Sequence, residues 1–505
     1  MFMIEAIQAV LSDPMIIALT ALGVFLGVYV GVIPGLSGAM AVSLLVSLTY
    51  GWKVNWALAM MIGVYNGAAY GGSRSAILLN IPGAPGAVAT SFDGYPLATQ
   101  GRAGEAMGVA TIFSVIGGII GCFALMFFTP QLSKIAIKFV NRDYILLVFM
   151  GLMLVGSLGS KSLAKSIVSA CFGLMLGCVG IDSMTGYQRF TFGNSYLMSG
   201  VNSTVTILGL FGAAEGITQI RTVHIPGIKQ KVDKIVPKIK DAKKNIGLTI
   251  RSAVIGVIVG ALPGTGGSIA ALLSYDNAKR TVKSEVPFGK GAIEGVIAPE
   301  VANNASVGGT LIPMLTLGIP GDSVSAILMG ALMIHGLQPG PRLLTKYGDL
   351  FSVICLAMLI SQIFLLIFGL TGIKITTKLL DIPKARLMPM VIVLSAIGSF
   401  AINHNIYDVL WMGGLGIIAY FLKLYDYPVA PAVLGVILSY TLEKNYLSVA
   451  IQARAKGGFY NTFVLGILHS PISLILVSII VLSFILQAKW FKKLLSKTTK
   501  KNYSD

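Results

Sequence analysis

What most limits this chain is the length of its uncharged stretches. Residues 14–52, 106–133, 190–214, 252–275, 350–373 and 457–488 contain no Lys, Arg, Asp or Glu. A helix of roughly 20 apolar residues crosses a bilayer, so several of these runs are long enough to span one and the longest could hold two passes. Over 505 residues the chain is 55% hydrophobic and only 11% charged, where a water-soluble domain has about a quarter of its residues charged. The pattern predicts an all-α polytopic membrane protein.

The net charge of +18 would suit a nucleic-acid binder, but its placement argues otherwise. Residues 221–244 hold eight Lys or Arg against two Asp, and the tail "KWFKKLLSKTTKK" holds six Lys and no acid. Basic segments between apolar spans follow the positive-inside bias, so the 222–247 linker and the 489–505 tail are expected in the cytoplasm. These segments divide the chain into a first membrane half, 1–221, and a second, 248–488. Loop charge leaves one span undecided: Lys134, Lys138 and Arg142 precede residues 144–160, and Lys161 and Lys165 follow them. The start "MFMIEAIQAVLSDP" lacks a basic n-region and reads as no cleaved signal. Cys122, Cys171, Cys178 and Cys355 all lie in apolar runs without a C-x-x-C pair, which predicts buried packing. The histidines are scattered and suggest no metal site.

The two halves share a pattern. "GVIPGLSG" (31–38) and "GALPGTGG" (260–267) stand 229 positions apart, "YNGAAYGGS" (65–73) aligns with "ANNASVGGT" (302–310) at 237, and "LNIPG" (79–83) with "LGIPG" (317–321) at 238. In this alignment Asn66 matches Asn303, and Gly71-Gly72 match Gly308-Gly309. Three motifs in one order predict two homologous repeats, read here as inverted, with about twelve transmembrane segments that include Pro/Gly-broken or re-entrant helices. Repeats with helices broken at equivalent places are a common way to build a midplane transport site.

The breaks also have chemical consequences. Pro removes a backbone donor and Gly weakens a helix, and unpaired backbone survives in a membrane only where protein or water covers it. A helix that restarts after a break offers free N–H groups and a partial positive charge. Pro34, Gly35, Ser37 and Gly38 in the first half, and Pro263, Gly264, Thr265, Gly266, Gly267 and Ser268 in the second, thereby form candidate receptors for a carboxylate. The amide oxygens of Asn66, Asn303 and Asn304 are candidate ligands for a hard cation such as sodium. Arg74 and Glu300 lie beside the breaks, either in the site or at helix ends facing the interface. Asp322 fits a helix cap better than an ion ligand, and Asp93 in "FDGYPLATQG" reads as a turn residue in an exposed loop.

Taken together, "GVIPGLSG", "YGGSRSAILLNIPG", "DGYPLATQGRAGEA", "PGTGG", "APEVANNASVGGTLIPMLTLGIPGD" and "HGLQPGP" resemble the large membrane subunit of the tripartite tricarboxylate transporters. The resemblance implies a bacterial or archaeal inner-membrane permease that works with a small membrane subunit and an extracytoplasmic solute-binding protein. It implies uptake of tri- or dicarboxylates such as citrate by an elevator-like movement, driven by a sodium or proton gradient, with no other cofactor. The motif positions carried over are Pro34, Gly35, Ser37, Gly38, Asn66, Gly71, Gly72 and Ser73, then Pro263 to Ser268, Asn303, Asn304, Gly308, Gly309 and Thr310. Asn66, Asn303, Asn304 and Thr310 form the expected sodium set. Arg74 falls where the family pattern is uncharged and would pair with a substrate carboxylate if it reaches the site.

Two other classes fit the sequence less well. An intramembrane hydrolase would want G-x-G-D or G-x-S-G with a His in a comparable break; "GLSG" (35–38) matches only half of that. A passive anion channel differs in flux rather than in motif. No G-x-x-x-x-G-K-[ST] occurs, which argues against ATP-driven transport in this subunit.

Overall fold

The computed structural model of the chain describes residues 13–33, 36–158, 162–182, 185–220, 244–372, 375–376, 384–455 and 458–487. Pro34, Gly35, most of the basic linker and the basic tail lie outside the described residues.

Helix α1 (Pro14–Val32) starts where Asp13 accepts a bond from the Met15 amide and Pro14 occupies the first turn, a position whose missing N–H costs nothing. It ends at Ile33 in an extended conformation. After the break, α2 (Gly38–Leu48) begins with Ser37 Oγ accepting from the Met40 amide. Helix α3 (Val54–Leu79) returns against α1 and ends at Asn80 in the left-handed region. The α1–α3 contact is made by glycines: a methyl group at Gly27 would sit 2.4 Å from the Val64 carbonyl oxygen, and one at Gly71 would sit 2.3 Å from that of Val28. Small residues let two backbones approach this closely, which is a main source of helix adhesion in lipid.

After a turn at Pro85–Ala87 come α4 (Val88–Leu97), α5 (Ala103–Ala136), α6 (Asn141–Leu158) and α7 (Leu163–Gly177). The second half opens with α8 (Ile246–Ala261) and α9 (Gly266–Thr281), followed by α10 (Glu294–Leu317) and α11 (Ser323–Ile334). Then follow α12 (Gly348–Thr371), α13 (Lys384–Asn403), α14 (Ile406–Leu424), α15 (Val429–Ala455) and α16 (Pro471–Gln487). A two-residue ribbon pairs Gly180–Ile181 with Gln188–Arg189. The remaining helical turns are short.

The second half repeats the packing of the first. A methyl at Gly256 would meet the Ala302 carbonyl oxygen at 2.4 Å, and one at Gly309 would meet that of Val257 at 2.5 Å. Helix α8 ends at an extended Leu262 as α1 ends at Ile33, and α10 ends at left-handed Gly318 as α3 ends at Asn80. These contacts correct the alignment drawn from sequence. Gly71 corresponds to Gly309, which faces α8; Gly308 instead faces Gly121 of α5. With the register moved by one residue, Asn66 corresponds to Asn304, and Tyr65 to Asn303. Consistent with this, both Asn66 and Asn304 donate to the carbonyl one turn earlier in their own helix, at 3.1 and 3.0 Å.

Two compact units emerge. One comprises residues 1–136 and 204–421, and the other residues 137–203 and 422–505. The first holds both glycine-packed helix pairs around a core that includes Val24, Val28, Tyr70, Phe113, Val301 and Ala305. In the second, α7 lies on α15 so closely that a methyl at Gly173 would overlap the Ala432 carbonyl, and α6 packs between α15 and α16.

Four described helical segments are long and apolar enough to cross a membrane: Pro14–Val32, Pro85–Ala136, Gly348–Thr371 and Ile406–Leu424. A bent pair, Tyr460–Leu468 with Pro471–Leu482, makes a fifth at an 85° angle, and five shorter apolar helices include α2, α8 and α11. Large side chains such as Phe127, Ile363, Leu410 and Ile417 are exposed on the outside, as suits a surface covered by lipid. The cysteine expectation is corrected in part: Cys122 and Cys355 are buried, but Cys171 is exposed on α7 beside exposed Ile167, Val168 and Met175, an apolar face that needs no protein cover in a bilayer.

Candidate functional site

The helices that follow the two breaks both reach the start of α11 within the first unit. Helix α2 packs on α11, and α9 packs on the Pro85–Ala87 turn and α4, so each broken helix lies against the element that follows the other half's hairpin. A methyl at Gly38 would touch the Ala68 side chain at 2.9 Å and approach Val324 at 3.8 Å, while one at Gly266 would touch Asp322 Cβ at 2.9 Å. Val324 and Asp322 stand at the start of the same helix, α11. The second break is shaped by glycine: Gly264 and Gly266 have φ of 79° and 55°, conformations that disfavour other residues.

Asp322 is a cap, as its sequence context predicts. Its Oδ1 accepts from the Ser325 amide at 2.8 Å, and Ser325 Oγ accepts from the Asp322 amide at 2.9 Å, a reciprocal capping box. The other oxygen, Oδ2, accepts from the Tyr65 hydroxyl at 2.6 Å; that hydroxyl also bonds Thr310 Oγ1 at 2.8 Å. Tyr65 was not singled out from the sequence, although it opens the quoted motif "YNGAAYGGS".

Asn303 makes the opposite crossing. Its amide donates to the Ala69 carbonyl at 2.8 Å, and its Oδ1 fills the space above Gly86 and Gly267, where a methyl would sit 2.2 and 2.1 Å away. Asn303 therefore joins α3, the turn after it and the restart of α9.

The residues of the expected sodium set have the following partners. Asn66 Oδ1 accepts from Gln362 of α12 at 3.1 Å, Asn303 and Thr310 have the partners just given, and Asn304 Oδ1 is buried with no partner. Among the hydroxyls of the breaks, Thr265 Oγ1 donates to the Leu262 carbonyl at 2.9 Å and to that of Val259, which satisfies the end of α8. Ser37 and Ser268 are half-buried; the Ser37 hydroxyl accepts a cap bond and keeps its own hydrogen. Pro263 is buried at the break itself.

Arg74 is only 1% exposed and serves a helix end. Its guanidinium donates to the carbonyls of Phe368 (3.0 Å) and Gly369, to Thr376 Oγ1 (2.5 Å) and to Tyr70 Oη (3.1 Å). It thus covers the C-terminal carbonyls of α12, where a cation is favoured. Asp93 corrects the loop expectation: it is fully buried in α4. One oxygen accepts from the amides of Gly289, Gly291 and Ala292, each at 2.8 Å, and the other from the Tyr275 hydroxyl at 2.9 Å. The polar, turn-forming composition of "FDGYP" is explained by this nest of amides ahead of α10.

Comparison with known proteins identifies the family. The profile of the tripartite tricarboxylate transporter TctA family matches residues 17–434. A protein of Agrobacterium vitis described as an uncharacterized 52.8 kDa protein in the TAR-I ttuC' 3' region is 38% identical over 400 residues, covering 79% of this chain and 80% of that one. Another from the same organism, described as an uncharacterized protein in the TAR-II ttuC' 3' region, is 38% identical over 207 residues, 41% of this chain and 86% of its own. No solved structure matches.

Proposed function

Because this chain belongs to the tripartite tricarboxylate transporter TctA family, we propose that it is the multi-pass permease subunit that imports tri- and dicarboxylates of the citrate kind. In this reading a sodium or proton gradient drives uptake, a small membrane subunit accompanies the permease, and an extracytoplasmic solute-binding protein delivers the anion. The chain lies in the inner membrane with its 222–247 linker and C-terminus in the cytoplasm, in about twelve passes arranged as two inverted repeats.

The observation that supports this reading is that both restarted helices reach the start of α11, with Gly38 beside Val324 and Gly266 beside Asp322. The first turns of α2 and α9 supply backbone N–H groups, and Ser37 and Ser268 supply hydroxyls. That combination binds a carboxylate without a fixed countercharge, so the anion can be released again. Glycines at 38, 266 and 267 let Ala68, Asp322 and Asn303 lie against the two helix starts. Arg74, committed to α12, has no part in this reading. Of the amide oxygens of the expected ion set, Asn304 Oδ1 is buried and unbonded.

The test is uptake of a panel of radiolabelled organic acids by cells carrying the chain with its two partner subunits. Accumulation should disappear when the ion gradients are collapsed and in Asn303→Ala, with the variant still present in the membrane. Equal uptake with and without gradients, or no organic acid taken up at all, would refute the reading.

A further inference from the structure

Glu300 is fully buried on α10. No basic side chain pairs with it among the described residues. Instead, Thr90 of α4 donates to Oε1 at 2.5 Å and Ser114 of α5 donates to Oε2 at 2.6 Å. The Ser73 hydroxyl of α3 borders the same carboxyl group, yet it is fully buried and has no hydrogen-bond partner. Three elements of the first half thus converge on a single acid of the second.

An ionised carboxylate in such a place lacks a countercharge, and burying one is costly even after the surroundings relax. Two hydroxyl bonds offset only part of that. Ser73 can serve the carboxyl group in either state: its hydroxyl donates to a carboxylate, and its oxygen accepts from a protonated carboxyl O–H. A divalent cation would want several acids, and no group of three His, Cys, Asp or Glu side chains occurs among the described residues.

Other ionisable groups on the surrounding elements are engaged elsewhere. Asp93 is held by the amides ahead of α10 and by Tyr275 of α9. Arg74 and Tyr70 of α3 serve the end of α12 and Thr111. Glu105 of α5 pairs with Arg102, Glu294 of α10 accepts from Ser284, and Asp276 of α9 pairs with Arg280 at the surface. Arg251 of α8 is half-buried with an unbonded Nε and makes no ion pair with Glu300.

We propose that Glu300 is the group that takes up and releases the coupling proton. This rests on the reading of the chain as a gradient-driven carboxylate permease. In the loaded form the carboxyl O–H donates to Ser73 Oγ and the group is neutral. Release breaks that O–H bond, passes the proton to water, and leaves a carboxylate held by Thr90 and Ser114; uptake from the other side of the membrane reverses the step.

Infrared absorption of the purified full-length protein in lipid nanodiscs tests the protonation without any substrate. A protonated-carboxyl band should be present, vanish in Glu300→Gln, shift in frequency and pH midpoint in Ser73→Ala, and stay unchanged when sodium replaces potassium at fixed pH. Absence of a Glu300-dependent band, or its loss on adding sodium alone, would overturn the proposal, the latter in favour of a sodium site. If Glu300→Gln does not fold, the Ser73→Ala shift decides. In transport, Glu300→Gln should lose uptake driven by a pH gradient, and Glu300→Asp should keep it with a displaced pH profile; pH-driven uptake persisting in Glu300→Gln would also overturn it. A wild-type protein that carries no carboxylate would refute the functional reading while the infrared result stands or falls separately.

Discussion

Tyr65 of α3 and Asn303 of α10 occupy the same place in the two half-structures, and each directs its polar end into the other half. Tyr65 reaches Thr310 and Asp322, and Asn303 reaches the Ala69 carbonyl and the space above Gly86. One position of a duplicated unit has thereby been put to the same use with two unrelated side chains.

Removal of the Tyr65 hydroxyl tests that link. Tyr65→Phe keeps the ring but leaves Asp322 Oδ2 without its donor, and a buried acceptor left unpaired costs about 1–3 kcal/mol. The melting temperature in detergent should fall and transport should weaken. A variant that melts and transports like the wild type would show the crossing bond to be dispensable.

The glycine contacts predict steric failure at matched positions. A methyl group at Gly27 or Gly256 would stand 2.4 Å from a carbonyl oxygen of the facing helix. Alanine at either should destabilise the protein by about 1–3 kcal/mol, as overpacking does, whereas alanine at Gly413, with open space around it, should not. Thermal melts of the three variants check this.

Asp93 fixes the approach to α10 through three amides. Bonds to a charged acceptor are worth roughly 1.5–3 kcal/mol each net of those to water, so Asp93→Ala should cost more than a single lost bond. Hydrogen exchange at Gly289, Gly291 and Ala292 should accelerate in the variant. Unchanged exchange there would refute the anchoring role.

Arg74→Gln separates two roles. Loss of the cover over the α12 carbonyls should lower the melting temperature, and Arg74→Lys should restore it only partly, because an ammonium cannot reproduce the planar fork. A raised KM with unchanged melting would instead indicate substrate contact.

At the surface, Lys244 lies 2.7 Å from Glu285 and holds that carboxyl below its ordinary range. The attraction is present at neutral pH and disappears as pH falls through the lowered value. Lys244→Gln should move the Glu285 titration, followed by NMR, back upward; full exposure makes the pair weak and salt-sensitive.

The family was legible because its motifs stand in the Pro-Gly, Gly-Gly and I-P-G stretches that recur in order. The register of the middle motif was not. Sequence alone matched Gly71 to Gly308, because either residue of a Gly-Gly pair can satisfy an alignment; only the helix each glycine faces decides, and Gly309 is the one that faces α8. Asp93 looked like a loop residue because its neighbours favour turns, while the amides that bury it come from nearly 200 positions away. Glu300 was noticed as a charge near a break, but its surroundings come from Thr90, Ser114 and Ser73 in the other half, and no local pattern announces them. Gly23, Gly27 and Gly31 stand in the sequence at four-residue spacing and mark the face of α1 that meets α3.

The exchange of broken helices between halves has a bearing on biosynthesis. Tyr65 must wait for partners 245 and 257 residues further along the chain, which at ordinary ribosome speeds is on the order of tens of seconds. During that interval the first half sits in the bilayer with its polar seam uncovered. A nascent chain stalled ahead of residue 294 should therefore be vulnerable to membrane proteases or dependent on an insertase for shelter.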